Sequence, residues 1–261
     1  MKAAYPWPYA RVLAHRGGGA LAPENTLAAI EVGLAHGFRA IEFDTRLAGD
    51  GVPVVIHDAT LDRTTNGTGP VAAHSAAELG RLDAGSWCAP RFAGATVSTL
   101  EAVITYCRAH FVWPNVEIKR VAGDEERAGA VIARTAATLY ADLVRPHGDR
   151  AGEVEPRVPL LTSFSRTALI GARRAAPDLP RGFLVKKIPA NWRDELEALG
   201  CVSLQVSHEF LTAAAARAVK AAGYWLFCYT VDDPARARKL LDWGVDAFCT
   251  DRIDLIGPDF A

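Results

Sequence analysis

The sequence predicts an α/β protein, specifically a (β/α)8 TIM barrel with a small insertion after its second strand. Three observations predict it. Short apolar runs of strand length alternate with longer amphipathic stretches of helical spacing along most of the chain. The apolar runs are continuous, which is the pattern of strands buried on both faces of a parallel sheet. Eight such units within 261 residues favour closure into a barrel over an open doubly wound sheet.

The elements follow in order. Arg11–His15 reads as a buried strand. Pro23-Glu24-Asn25-Thr26 is a polar helix start, followed by an apolar-spaced helix through Leu34 that Gly37 stops. Ala40–Asp44 is the second strand, and Val52–His57 is an extended run after the Gly49-Asp50-Gly51 turn. Residues 58–98 break the rhythm, with turn signals such as Asn66-Gly67-Thr68-Gly69-Pro70 and one short helical candidate, Ala76–Leu82. About forty residues bury too little surface to be stable alone. They are expected to be an insertion over one barrel face, so that residues 1–261 form a single domain.

A helix over Leu100–His110 restores the pattern. Strands are expected at Asn115–Lys119, Pro159–Phe164, Gly182–Lys186, Val202–Val206, Trp225–Thr230 and Asp246–Thr250. Helices are expected at Glu126–Leu143, Arg166–Ala175, Trp192–Leu199, Thr212–Ala222 and Pro234–Trp243, with a short terminal one after Asp251. Glu153-Val154-Glu155-Pro156 reads as a polar loop.

Composition narrows the function. Half the residues are hydrophobic, 23% are charged and the net charge is −1, so no global basic field points to nucleic acid or an anionic membrane. The stretch Met1–Pro8 lacks the apolar core of a signal peptide. The most apolar later stretch, Ala213–Tyr229, is interrupted by Arg217 and Lys220, and no run approaches the roughly 18 apolar residues of a membrane span. Five cysteines (Cys88, Cys107, Cys201, Cys228 and Cys249) are odd in number and widely spaced. Reduced, mostly buried thiols and a cytoplasmic location are expected, with no membrane insertion.

Strand parity then gathers the polar residues. Alternate side chains of a strand share a face, so Glu42 and Asp44 point together, as do Glu117 and Lys119. His15 closes the first strand and His57 the extended run after the second. All six lie at the carboxyl ends of early strands, where barrel enzymes build their sites. A single Glu-x-Asp is usually a solvated or salt-bridged pair. Three converging carboxylates with two histidines beside them are different, because their mutual repulsion calls for a cation. All-oxygen ligation suits one divalent ion, Mg2+, Ca2+ or Mn2+, and argues against Zn2+. Arg16 and Lys119 supply fixed positive charge fit for phosphate oxygens, and Gly17-Gly18-Gly19 lets backbone approach a ligand. Two histidines near the site suit general acid–base work, one accepting a proton while the other donates. Phosphodiester cleavage needs that pairing.

Several stretches together resemble the glycerophosphodiester phosphodiesterase family: His15-Arg16-Gly17, Pro23-Glu24-Asn25-Thr26-Leu27-Ala28-Ala29, Ile41-Glu42-Phe43-Asp44 and Val52-Pro53-Val54-Val55-Ile56-His57-Asp58. Leu61-Asp62-Arg63-Thr64-Thr65-Asn66-Gly67, Glu117-Ile118-Lys119 and Thr250-Asp251-Arg252 complete the match across most of the chain. The resemblance implies a (β/α)8 barrel that hydrolyses small-molecule glycerophosphodiesters to sn-glycerol 3-phosphate and an alcohol. It implies Glu42, Asp44 and Glu117 as metal ligands, His15 and His57 as the acid–base pair, and Arg16 and Lys119 as phosphate contacts. Glu24-Asn25 is expected to start a helix and brace the His15 loop. Tyr229-Thr230 stands where the family usually has Trp-Thr, which implies Tyr229 as a wall of the glycerol pocket. Thr250-Asp251-Arg252-Ile253 lacks the proline that usually ends this motif, which should only loosen a helix start. The rival readings are a related phospholipase acting on lysolipids, and a barrel that senses its ligand without turning it over.

Overall fold

Continuous apolar runs become parallel strands, and a polar cap starts most of the helices between them. The computed structural model describes residues 7–121, 123–144 and 155–261. Residues 1–6, together with Glu153 and Val154 of the expected polar loop, lie outside the described residues. The strands are β1 (Val12–Ala14), β2 (Ala40–Leu47), β3 (Pro53–Val55), β4 (Trp113–Ile118), β5 (Leu160–Ser163), β6 (Arg181–Val185), β7 (Ser203–Ser207), β8 (Trp225–Tyr229) and β9 (Ala247–Thr250). The helices are α1 (Leu27–Ala35), α2 (Ala76–Leu79), α3 (Leu100–Ala109), α4 (Glu125–Leu139), α5 (Arg166–Ala175), α6 (Trp192–Leu199), α7 (Ala213–Ala221) and α8 (Pro234–Asp242).

The sheet runs β1-β9-β8-β7-β6-β5-β4-β2, and β1 also pairs with β2, so eight parallel strands close on themselves. This is the (β/α)8 TIM barrel. β3 lies outside the closure, antiparallel to β2, with Thr45 opposite Val55 and Leu47 opposite Pro53. The side-chain oxygens of Thr26, Thr99, Ser165, Thr212 and Asp233 accept backbone N–H groups at the starts of α1, α3, α5, α7 and α8. Each satisfies donors that a helix start leaves without partners.

Residues after β3 form the insertion, with a small core of Ala48, Val54, Ile56, Leu61, Val71, Leu79, Ala84 and Val97 beside the main one. Its expected helix over Ala76–Leu82 is a single capped turn that ends before Gly80. The expected terminal helix after Asp251 does not form. Leu255 and Ile256 donate to the Arg252 carbonyl, and Gly257-Pro258 then stops a segment too short to carry a helical nucleus. The last parallel strand therefore has no helix after it.

The two barrel ends differ in chemistry. At the amino ends of the strands an aromatic cluster fills the interior. Tyr9 stacks on Trp113 with ring centroids 3.8 Å apart, and Trp7 meets Trp225 edge-on at 5.3 Å. The carboxyl ends carry the charged residues.

Candidate active site

Register places the charged side chains at one height. Glu42 is opposite Asn115 and Asp44 opposite Glu117 in the β2–β4 ladder, while Ala14 pairs with Ile41, which sets His15 level with Glu42. Glu42, Asp44 and Glu117 each offer an oxygen, and the three oxygens lie within 4.8 Å of one another. Glu42 and Asp44 are buried. His15 Nε2 is 3.7 Å from Glu42 Oε2, and the Arg16 backbone N–H donates to the same oxygen. Lys119 Nζ lies 2.7 Å from Glu117 Oε1 and 3.3 Å from Asp44 Oδ1. Arg16 Nε lies 3.5 Å from Asp44 Oδ2.

Charge is not balanced within this group. Burial, then the charge of Asp44, pushes the Glu42 carboxyl up to about 8. Burial also raises Glu117, again with Asp44 adding to it. Burial opposes ionisation of Asp44 too, but Lys119 and Arg16 outweigh it and hold that group down at about 2. Two fixed cations thus serve three carboxylates, and the shortfall in positive charge falls on Glu42 and Glu117, whose ionised forms are disfavoured. A hard divalent cation among these three oxygens would relieve it, so the donor set fits Mg2+, Ca2+ or Mn2+.

Both histidines are tied through Nδ1. His15 Nδ1 donates to Asp251 Oδ1 at 2.7 Å and His57 Nδ1 to Asp58 Oδ1 at 2.6 Å. A carboxylate on Nδ1 sets the tautomer and leaves Nε2 of each ring for a ligand. The surroundings push the two rings apart. Burial works against the His15 imidazolium, but the bond to Asp251 and the charges of Glu42 and Asp251 prevail and raise its pKa. Burial also works against the His57 imidazolium, and there Arg16 and Lys119 add to it, so that its pKa falls. Arg46 Nε holds the His57 carbonyl at 2.9 Å, which fixes the ring's backbone.

Every charged residue expected at the rim is therefore in one place. Below the rim, a narrow cavity of about 40 Å3 is lined by His15, Glu42, Glu117, Phe164, Gln205 and Tyr229, among others. Tyr229 donates its hydroxyl to the Val185 carbonyl at 2.8 Å and meets Phe164 edge-on at 5.7 Å, so its ring faces the cavity as a fixed wall.

Of the two roles expected of Glu24-Asn25, the loop bracing agrees with the structure, where the Asn25 backbone N–H donates to the Arg16 carbonyl at 3.0 Å, and the helix start does not. Thr26, not Glu24 or Asn25, starts the helix. Asn25 also braces Asp44: its Nδ2 donates to Asp44 Oδ2 at 2.8 Å, and its Oδ1 accepts the Asp44 backbone N–H at 3.0 Å. Glu24 accepts from Arg16 Nη1 at 2.7 Å. Arg16 and Asn25 both adopt positive φ, 52° and 62°, a left-handed conformation that ordinary side chains avoid and that clusters at functional sites. Asp58 and Asp251 were not singled out by strand parity. Asp58 had a readable signal, its position next to His57, and Asp251 sits just past the end of β9.

The chain is similar to known proteins over most of its length. A profile of the Glycerophosphoryl diester phosphodiesterase family matches residues 15–255. A glycerophosphodiester phosphodiesterase of Bacillus subtilis is 31% identical over 258 residues, covering 93% of this chain and 84% of that one. One from Caldanaerobacter subterraneus is 32% identical over 241 residues, covering 92% and 93%. An Oleispira antarctica phosphodiesterase, solved in complex with its product sn-glycerol-3-phosphate, superposes with a TM-score of 0.80 at 34% identity over 92% of each chain.

Proposed function

The chain belongs to the glycerophosphoryl diester phosphodiesterase family and is a hydrolase, and from its site we propose how it cleaves glycerophosphodiesters to sn-glycerol 3-phosphate and an alcohol. The observation that carries this reading is the convergence of three carboxylates within 4.8 Å beside two carboxylate-tethered histidines. Glu42, Asp44 and Glu117 would hold one divalent cation. When bound, that ion would neutralise charge on the phosphoryl oxygens.

The protein's own residues do the rest. Arg16 and Lys119 bind phosphate oxygens, Arg16 through its guanidinium plane and Lys119 as a point charge that also balances Glu117 and Asp44. His57, held below its ordinary range, is neutral near pH 7 and accepts the nucleophile's proton at Nε2. His15 is the partner that protonates the departing alkoxide. The nucleophile is water, which needs one such pair of proton transfers, or the glycerol 2-hydroxyl of the substrate, which needs the pair twice, the second time as water opens the cyclic phosphate to glycerol 3-phosphate. The Tyr229 ring walls the glycerol side of the cavity. The Oleispira antarctica relative's bound product supports a small-molecule substrate. We read residues 1–261 as one barrel domain. Among the described residues no helix is long and apolar enough to cross a membrane. All five cysteines are free thiols, which suits the reducing cytoplasm we propose for the enzyme.

Product analysis tests the reading. With glycerophosphocholine the enzyme should release glycerol 3-phosphate and choline, and turn over a lysophospholipid far more slowly. A large preference for the lysolipid would replace this assignment with a phospholipase.

A further inference from the structure

One residue of the insertion reaches both sides of the site and has no role in the scheme above. Arg63 lies in the Leu61–Gly67 stretch. Its Nε donates to Asp58 Oδ2 at 2.6 Å, while Nη1 and Nη2 donate to Glu24 Oε2 and Oε1 at 2.7 and 2.8 Å. The other oxygen of Asp58 accepts from His57 Nδ1 at 2.6 Å. Glu24 Oε1 also accepts from Arg16 Nη1 at 2.7 Å. A single guanidinium therefore grips the two carboxylates that tether His57 and Arg16.

We propose that Arg63 is a positioning residue through which the insertion sets His57 and Arg16 in their working orientations together. The fork geometry suits the task. A guanidinium presents donors in a fixed plane and can hold Glu24 bidentately while keeping a third donor for Asp58. Lysine, a point charge on a flexible stem, holds one partner at a time. Glu24 precedes α1 and Asp58 follows β3, so no local turn brings these carboxylates together. Without Arg63 they would lie side by side as like charges and would draw apart, taking Arg16 and His57 with them.

The ordinary alternative is a surface ion pair. The Arg63 side chain is 46% exposed, and exposed pairs contribute little to stability. A surface pair predicts neither a large loss of rate nor a change in the titration of His57. The positioning role predicts both. The charged groups facing His57 are Asp58, Asp44, Arg16 and Lys119, with Arg46 on its backbone carbonyl. Arg63 shares the charge of Asp58, so its removal leaves Asp58 wholly to His57 and favours the imidazolium. The acid limb of the rate profile then moves to higher pH.

This inference rests on the roles given above to His57 and Arg16. Its test compares Arg63→Ala and Arg63→Lys with the wild type, each metal-loaded and acting on glycerophosphocholine. Arg63→Ala should lower kcat by about 10–100-fold, the usual range for groups that orient a site's residues. Its Tm should stay near that of the wild type, and its acid limb should move upward. Low concentrations of guanidinium should restore part of its rate without affecting the wild type, and Arg63→Lys should fall between the two. Wild-type kcat with an unmoved acid limb in Arg63→Ala would overturn the inference. So would a loss of rate that follows a lowered Tm and resists guanidinium. His57→Ala is assayed alongside: if it turned over normally, the underlying reading would fall and this inference with it.

Discussion

At the scale of single residues, the tethers on His15 and His57 decide what each ring can do. Both Nδ1 atoms are engaged, by Asp251 and Asp58, and Nε2 of each is left for chemistry. His15→Ala or His57→Ala should lower kcat by roughly 10²–10⁴-fold, the usual range for general acid–base groups. Because the His57 pKa lies below its ordinary value of about 6.5, the base we propose at this position would become active as pH rises through a value below 6.5. The wild-type rate should therefore gain its acid limb in that range, and His57→Ala should lose the limb. A pH–kcat/KM profile of both proteins measures this. Glu42 with Asp44 and Glu117 with Lys119 were legible in the sequence from strand parity, and His15 and His57 from their places at the ends of extended runs. Asp251 was not, since it meets His15 across 236 residues of separation. Asn25 is legible as a brace of the His15 loop, but its two bonds to Asp44 are not, because they cross from the loop before α1 to β2.

At the scale of elements, α1 and the loop after β1 fit together without slack. A Cβ added at Gly33 would lie 2.2 Å from the Gly17 carbonyl oxygen, and one at Gly19 would lie 2.3 Å from the Asp251 carbonyl oxygen. The loop carrying His15 and Arg16 is thus pressed between a helix and the end of β9. Gly33→Ala should push α1 off this loop, lowering Tm through about 1–3 kcal/mol of overpacking and lowering kcat as well. Unchanged Tm and kcat would show that the loop has room to give. The strands and long helices were legible because burial on both faces makes continuous apolar runs. The short elements were not. The expected helix over Ala76–Leu82 stops before Gly80 and the terminal one never forms, because stop signals at Gly80 and Gly257-Pro258 outweigh weak helical spacing.

At the scale of the whole molecule, the barrel separates stability from chemistry. Trp113 and Trp225 lie buried against Trp7 and Tyr9 at the amino end, whereas its other end gathers the carboxylates, histidines and Arg16. That division is common to TIM barrels, and it lets an insertion after the second strand add Arg63 and Asp58 to the rim without disturbing the barrel core. The central claim is that Glu42, Asp44 and Glu117 hold a divalent ion on which cleavage depends, and the most direct measurement is glycerol 3-phosphate release from glycerophosphocholine after chelation. The chelated enzyme should stay folded, lose its activity, and recover it on addition of Mg2+, Ca2+ or Mn2+, with Glu42→Gln failing to recover. A chelated enzyme that released glycerol 3-phosphate at the full rate would contradict that claim.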